Sequence, residues 1–180
     1  MIDTAFTIDK LAEMRTAFDQ TYAIPPSIQS VGQIEDLLAI RLAGNPYALR
    51  TAEISAFARI PKMVTVPSPS PELEGLAGIR GAVVPIYSLA ALFGSDREQQ
   101  VRWCVWCGSE ELIGFAFGQF EGFVRASRSQ IYSPQQEDLT CEHIKSVFRT
   151  DETVRPVVNL SSLVQLMKRR CTKILDKEEQ

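Results

Sequence analysis

The chain has 180 residues, of which 45% are hydrophobic and 23% charged, the proportions of an ordinary globular protein rather than a disordered or membrane-embedded one. Its formal net charge of -3 argues against a general nucleic-acid binder, which needs a broad basic surface to displace counterions from phosphates. A chain of this length hides roughly 70% of its unfolded surface, enough for one domain or two small subdomains sharing a boundary. No apolar stretch approaches the ~20 residues that cross a bilayer, so no direct membrane insertion is expected. With Asp3 and Asp9 near the start and no long apolar core, the N-terminus does not read as a secretory signal, and a cytoplasmic protein with four free thiols is expected.

Residues 1–33 read as an amphipathic helix and a linker. Ile8, Leu11, Met14, Phe18 and Tyr22 recur at helical spacing, Thr7 suits the cap, Asp9 suits the dipole, and Pro25-Pro26 end the segment. That stripe packs on its own domain or docks in a partner groove. From Asp36 the period changes to two: Leu38, Ile40 and Leu42 alternate with Ala39 and Arg41, and Gly44-Asn45-Pro46 supplies a turn before Tyr47 to Arg50. This predicts a β-hairpin. Ala52 to Ile60 fits a strand or a short helix. Pro61, Pro67, Pro69 and Pro71, interleaved with serines, predict a rigid surface loop. Val101 to Cys107 with Leu112 to Phe117, and His143 to Arg149 with Val154 to Leu160, predict two more hairpins. A helix is expected from Ser161 with Leu163, Leu166, Met167, Cys171 and Ile174 on its apolar side, its basic run from Lys168 to Lys173 complementing the dipole.

Residues that carry chemistry are sparse. Cys104-x-x-Cys107 with Cys141-x-His143 is the one set with metal-ligand spacing, but a spacing of three on a strand sends Cys104 and Cys107 to opposite faces, and no glycine-rich knuckle surrounds either pair. No metal is expected. His143 is the single histidine, and no nucleophile elbow accompanies it. Gly75-x-x-Gly78-x-x-Gly81 leads into a strand, so it offers no helix N-terminus to a phosphate. The carboxylates Glu72/Glu74 and Glu110/Glu111 fall in polar turns that would not shift their pKa. The expectation is no catalysis and no cofactor.

The most distinctive stretch is Gly75-Leu76-Ala77-Gly78-Ile79-Arg80-Gly81-Ala82-Val83-Val84-Pro85-Ile86, closing at Ser88-Leu89 and Phe93-Gly94. Gly81 tolerates backbone angles or a close approach that a side chain forbids, and Arg80 sets a permanent charge beside an apolar ribbon, which suits a contact surface. This stretch resembles the signature of the CheW-like family of coupling proteins in bacterial chemosensory arrays. Leu37 to Leu42, Tyr47, Ile54 and Pro67 fit its first half, and Leu112 to Phe117, Val124, Val147 and Val157 to Leu160 fit the second more loosely, so that residues 34–168 are covered and 169–180 form the end of the C-terminal helix and a charged tail.

The resemblance implies a mainly β fold of two SH3-like five-stranded β-barrel subdomains, with helices at both ends, and no enzyme activity. It implies an adaptor at receptor arrays on the inner face of the membrane, joining the helical tip of a chemoreceptor to the regulatory domain of a CheA-type histidine kinase. Through the matching motif, Arg80 and Ile54 fall on receptor-contact positions, and Gly75 and Gly81 on a partner-interface loop. Ala56 stands where the family usually has glutamate, Gly118 where it has aspartate, and Ser88 and Asn159 where it has helix-capping aspartates. A CheW-like scaffold that binds a kinase without a receptor, in a variant pathway such as surface motility, is the main alternative, and a zinc-dependent or thiol enzyme built on Cys104, Cys107, Cys141 and His143 is a remote one.

Overall fold

Strands that are apolar on both faces dictate this architecture. In β1 (Ile34–Leu42) the residues Leu37 and Leu38 are neighbours in sequence and therefore point in opposite directions, yet both are fully buried. The same holds for the five consecutive buried residues of β8 (Ile113–Phe117). A sheet with such strands must be covered twice. Here a computed structural model describes residues 34–178 apart from 97, 99, 109–110, 134–141 and 151. The N-terminal helix expected over Thr7 to Tyr22 lies outside the described residues.

The remaining strands are β2 (Asn45–Arg50), β3 (Ala56–Arg59), β4 (Met63–Val64), β5 (Leu73–Ile79), β6 (Ala82–Ser88), β7 (Trp103–Cys107), β9 (Gln119–Ser127), β10 (Ile131–Tyr132), β11 (Ile144–Arg149) and β12 (Val154–Val158). A four-residue helix, α1 (Leu89–Leu92), follows β6, and α2 (Leu160–Glu178) closes the described chain. Two sheets form, in the orders β10-β11-β12-β2-β1-β9 and β3-β7-β8-β6-β5-β4. They are the two barrel-like halves expected, with six strands each rather than five, because the two-residue strands β4 and β10 each add a short edge. The second half is a continuous insertion between β2 and β9, and the first is assembled from what flanks it.

Three apolar clusters follow from the alternation. Leu37, Ala48, Ala126, Phe148 and Val157 fill the first half. Ala77, Val84, Ile86, Cys104, Trp106 and Ala116 fill the second. Between them, Leu38, Ile40, Leu42 and Leu49 from one sheet meet Tyr87, Val105, Cys107, Ile113, Phe115 and Phe117 from the other, together with Leu160, Leu163 and Met167 of α2. Side chains one residue apart in β7 and β8 thus serve different cores. Where space runs out, glycine stands: a Cβ on Gly114 would lie 3.0 Å from Ile86 Cγ1 and 3.1 Å from the Cys104 sulfur.

The three predicted hairpins are present, pairing β1 with β2, β7 with β8 and β11 with β12. The first turn falls earlier than expected. Ala43 (φ 47°) and Gly44 (φ 84°) form a two-residue loop closing the Leu42/Asn45 pair, while Asn45 and Pro46 already belong to β2. Ala52 to Ile60 resolves into a 3₁₀ turn at Thr51–Glu53 followed by β3. The Pro/Ser segment has no regular structure between β4 and β5, as expected. The mild replacements at the caps hold: the Ala91 N–H donates to Ser88 Oγ at 3.4 Å, and the Ser162 N–H to Asn159 Oδ1 at 2.8 Å.

Helix α2 corrects one expectation. Leu163 and Met167 are buried and Leu166 is half-buried, as read, while Cys171 and Ile174 lie beyond the described side chains. The basic run, however, does not sit at the helix end, since α2 continues to Glu178. Two of its members reach across instead: Lys168 pairs with Glu111 at 2.8 Å and Arg170 with Glu72 at 2.8 Å, tying the helix to the second half.

Phe115, fully buried in the shared junction, is the place to test this packing. Phe115→Ala should lower the unfolding free energy by about 3–5 kcal/mol in urea titration, with one transition for both halves. Two separate transitions would mean that the junction does not couple them.

Candidate functional site

Two surfaces stand out, both projecting from the same end of the second sheet. The register sets Ala56, Trp106, Gly114 and Ile86 in one row across β3, β7, β8 and β6. Ile54 lies just before β3, and Arg80 at the far tip of the β5–β6 hairpin, both on the side of that row where β6 and β8 begin. Three strand spacings, roughly 14 Å, separate β3 from β6 along the sheet. The two residues share an end of the sheet without touching.

Arg80 and Gly81 are the two residues of a tight loop closing the Ile79/Ala82 pair. Both have positive φ, 50° and 81°, the pattern of a type I′ turn. Glycine takes that conformation freely, but arginine is strained there by about 1 kcal/mol. Arg80 is exposed and forms no ion pair among the described residues. Beside it Val83 is 72% exposed, and across the strand Val64 is 66% exposed. A strained cation and one bare valine, Val83, therefore occupy the tip, while Val64 lies further down, on the edge strand β4.

Gly75 is not on a loop. It lies inside β5 at a register shift opposite Ile86, and a Cβ there would sit 2.6 Å from the Val64 carbonyl oxygen. Its need for glycine comes from the close approach of β4. Gly75 is buried, so of the two expected loop glycines only Gly81 lies at the surface.

Ile54 is half-buried against the junction core, its N–H bonded to the Thr51 carbonyl at 3.0 Å. It introduces a feature the sequence reading missed. Phe57 of β3 stacks on Trp103 of β7 with ring centroids 5.2 Å apart, and meets Phe120 and Phe123 of β9 at 5.0 and 6.1 Å. Phe120 and Phe123 are 5.4 Å apart in an edge-to-face arrangement. Phe123 is 65% exposed. β3 and β9 are the outermost strands of their respective sheets, so these rings bridge two edges. Arg59 places its guanidinium carbon 5.5 Å from the Trp103 ring centre. No local pattern marks these rings, since Phe57 is far in sequence from Phe120 and Phe123 and Gly122 interrupts the alternation of β9.

The departures from the family pattern take on definite meaning. Ala56 is exposed and pairs with Trp106, on the face of β3 opposite Phe57, so the missing glutamate leaves the aromatic face unaltered. At Gly118 a carboxylate arrives from elsewhere: Glu98 accepts the Gly118 N–H at 2.6 Å and the Ala43 N–H at 3.1 Å. Glu121 of β9 receives Arg41 at 2.5 Å and Arg155 at 2.6 Å. Burial pushes the Glu121 carboxyl up, but the hydrogen bonds from the two guanidiniums outweigh it and hold its pKa below the usual value.

The groups considered for chemistry are spent on structure. Cys104 and Cys107 are buried on opposite faces of β7, one in the second-half core and the other in the junction. Burial raises both thiols, Cys107 to about 12. His143 Nδ1 lies 2.9 Å from Ser162 Oγ, whose hydroxyl donates to the Asn159 carbonyl at 2.8 Å, so the ring braces the start of α2. Its pKa is lowered, first by burial and then by Arg170, with Glu142 opposing. Cys141 lies outside the described residues. Among the described residues no group of three or more His, Cys, Asp or Glu could hold a metal ion. A groove of about 500 Å³ runs beneath the Pro/Ser loop, floored by Leu73, Leu76, Pro85, Tyr87 and Met167.

Compared with known proteins, residues 36–168 match the family model described as the CheW-like domain. Among solved structures, the crystal structure of the scaffolding protein TtCheW from Thermoanaerobacter tengcongensis is similar, with a TM-score of 0.61 and 15% identity over 69% of this chain and 88% of that one. A search of curated proteins finds no match.

Two measurements test these assignments. In native protein at pH 8, thiol labelling followed by peptide mapping should leave Cys104 and Cys107 unmodified, and both should react once urea unfolds the chain; native labelling of either would contradict their burial. The depressed His143 pKa means that the unfolded chain binds the extra proton first as pH falls. Its contribution is therefore complete above about pH 6.5 and is lost as pH falls through the lowered folded-state value. The urea midpoint should drop between pH 7.5 and 5.5, and less steeply in His143→Gln.

Proposed function

Because this chain belongs to the CheW-like family, we propose that it is a non-catalytic adaptor coupling the cytoplasmic tip of a chemoreceptor to the regulatory domain of a CheA-type histidine kinase. Its working site would be the inner face of the membrane at a receptor array. The observation that carries this reading is the aromatic cluster of Phe57, Trp103, Phe120 and Phe123, with Phe123 largely exposed. Phe57, Trp103 and Phe120 are half-buried against the junction core, and the bare Phe123 beside them extends that apolar face to the surface, where a partner can cover it. Ile54 packs against the junction core just before β3, and the length of the aromatic surface along β3 and β9 suits the apolar stripe of a helical hairpin.

The physical division of labour is then simple. Buried aromatic and aliphatic contacts supply affinity for the receptor helix, and Arg80 supplies register, its strained backbone retained because the side chain is used. Gly81 lets the tip turn, and Gly75 keeps β4 pressed on β5. The exposed Val64, on the outermost strand β4 and away from Arg80, offers the edge of the second half to the kinase domain. The loss of a glutamate at Ala56 supports a second reading, in which the protein binds a kinase without a receptor.

The test is reconstitution with the kinase regulatory domain and soluble receptor hairpins from the same genome. Phe123→Asp should weaken receptor binding by roughly tenfold or more while sparing the kinase, and Val64→Asp should do the reverse. Arg80→Gly should keep or raise thermal stability, by about 1 kcal/mol from relief of the positive φ, yet weaken receptor binding. Kinase binding with no receptor bound would establish the second reading, and failure to bind either partner would refute both.

A further inference from the structure

The aromatic surface has an electrostatic asymmetry. Four carboxylates lie on the elements that frame it, and each is engaged. Glu35 of β1 holds Arg50 at 2.9 Å. Asp36 of β1 faces Arg125 at 3.4 Å. Glu121 of β9 holds Arg41 and Arg155. Glu53, just before Ile54, accepts the Ser161 N–H at 3.1 Å. Arg59 has no such counterpart: it is exposed and makes neither ion pair nor hydrogen bond among the described residues.

Its position is nevertheless fixed. Arg59 and Phe57 are two apart on β3 and so share a face, and Arg59 stands directly opposite Trp103 in the ladder, its guanidinium near that ring. Stacking on an indole restrains the side chain while leaving its N–H groups open to a carboxylate. An apolar patch bordered by a positioned, uncompensated cation selects for a partner of matching charge.

We infer that Arg59 is a specificity determinant of the aromatic surface, and that the helix docking there carries an Asp or Glu flanking its apolar stripe where it meets Arg59. This rests on that surface being the receptor-binding one. The charge pair would sit at the rim of the contact, so it governs partner choice and association rate more than total affinity. A helix presenting lysine at the same place would be rejected by like-charge contact.

The experiment measures binding of soluble receptor hairpins from the same genome to wild type, Arg59→Glu, Arg59→Lys and Phe123→Asp. Circular dichroism and thermal melting would confirm that each variant folds. Arg59→Glu should weaken binding about tenfold at low salt, with a smaller effect at high salt, and Arg59→Lys should retain most of it. Changing the facing acidic residue of the hairpin to lysine should restore binding to Arg59→Glu and impair it for wild type. Loss of binding in Phe123→Asp with no effect of Arg59→Glu, or failure of the charge exchange to rescue, would overturn the inference while leaving the receptor surface intact. Wild-type binding unaffected by either variant, or no binding of any hairpin, would overturn both.

Discussion

Everything in this molecule depends on strands whose two faces are both apolar. β1, β7 and β8 cannot lie on a simple two-layer sandwich, where one face meets water, because Leu37 and Leu38, or Ala116 and Phe117, would then compete for one core. Curling each sheet gives one face of these strands an interior, and packing the two curled sheets together gives the other face a second. The division is visible in β8, where Gly114 and Ala116 face the crowded interior and Ile113, Phe115 and Phe117 face the junction. Helix α2 completes the seam with Leu160, Leu163 and Met167, held at its start by Asn159, Glu53 and His143.

That economy leaves few residues for chemistry and many for contact. The thiols with metal-like spacing are core side chains, and the one histidine braces a helix. At the surface of the second half stand a cation on a strained turn and the bare valines Val64 and Val83, and between two sheet edges Phe123 extends half-buried rings into solvent. Each is costly to hold in water and cheap to cover with another protein, which is why the site reads as an adaptor's.

Much of this was legible in the sequence, and the misses have physical causes. Alternation at period two marked the three hairpins, since burial on alternate faces leaves a direct imprint, and the Arg80-Gly81 signature marked a tip that the structure places in a two-residue turn. The expected first turn starts one residue late, because Gly44-Asn45-Pro46 is the stronger local signal, whereas the chain turns at Ala43-Gly44, with Arg41 donating to the Gly44 carbonyl at 2.8 Å. Gly75 was assigned to a loop because the approach of β4 depends on a strand of only two residues. The basic run of α2 was credited to the dipole, since Glu72 and Glu111 are distant in sequence. The aromatic surface escaped because it is assembled from β3, β7 and β9, none of which carries a recognisable pattern of rings alone.

One feature of the topology reaches beyond the finished molecule. β12 lies parallel to β2, matching Val157 with Ala48 and Val158 with Leu49, so neighbours in the first sheet are separated by the whole inserted half. During synthesis the β1–β2 hairpin must wait, one edge unpaired, until more than a hundred further residues have emerged. The inserted half has no such delay, because all its strands come from one uninterrupted stretch. A nascent or truncated chain ending before Val157 would therefore present Ala48 and Leu49 on an open strand edge, the portion of this protein most exposed to pairing with the wrong neighbour.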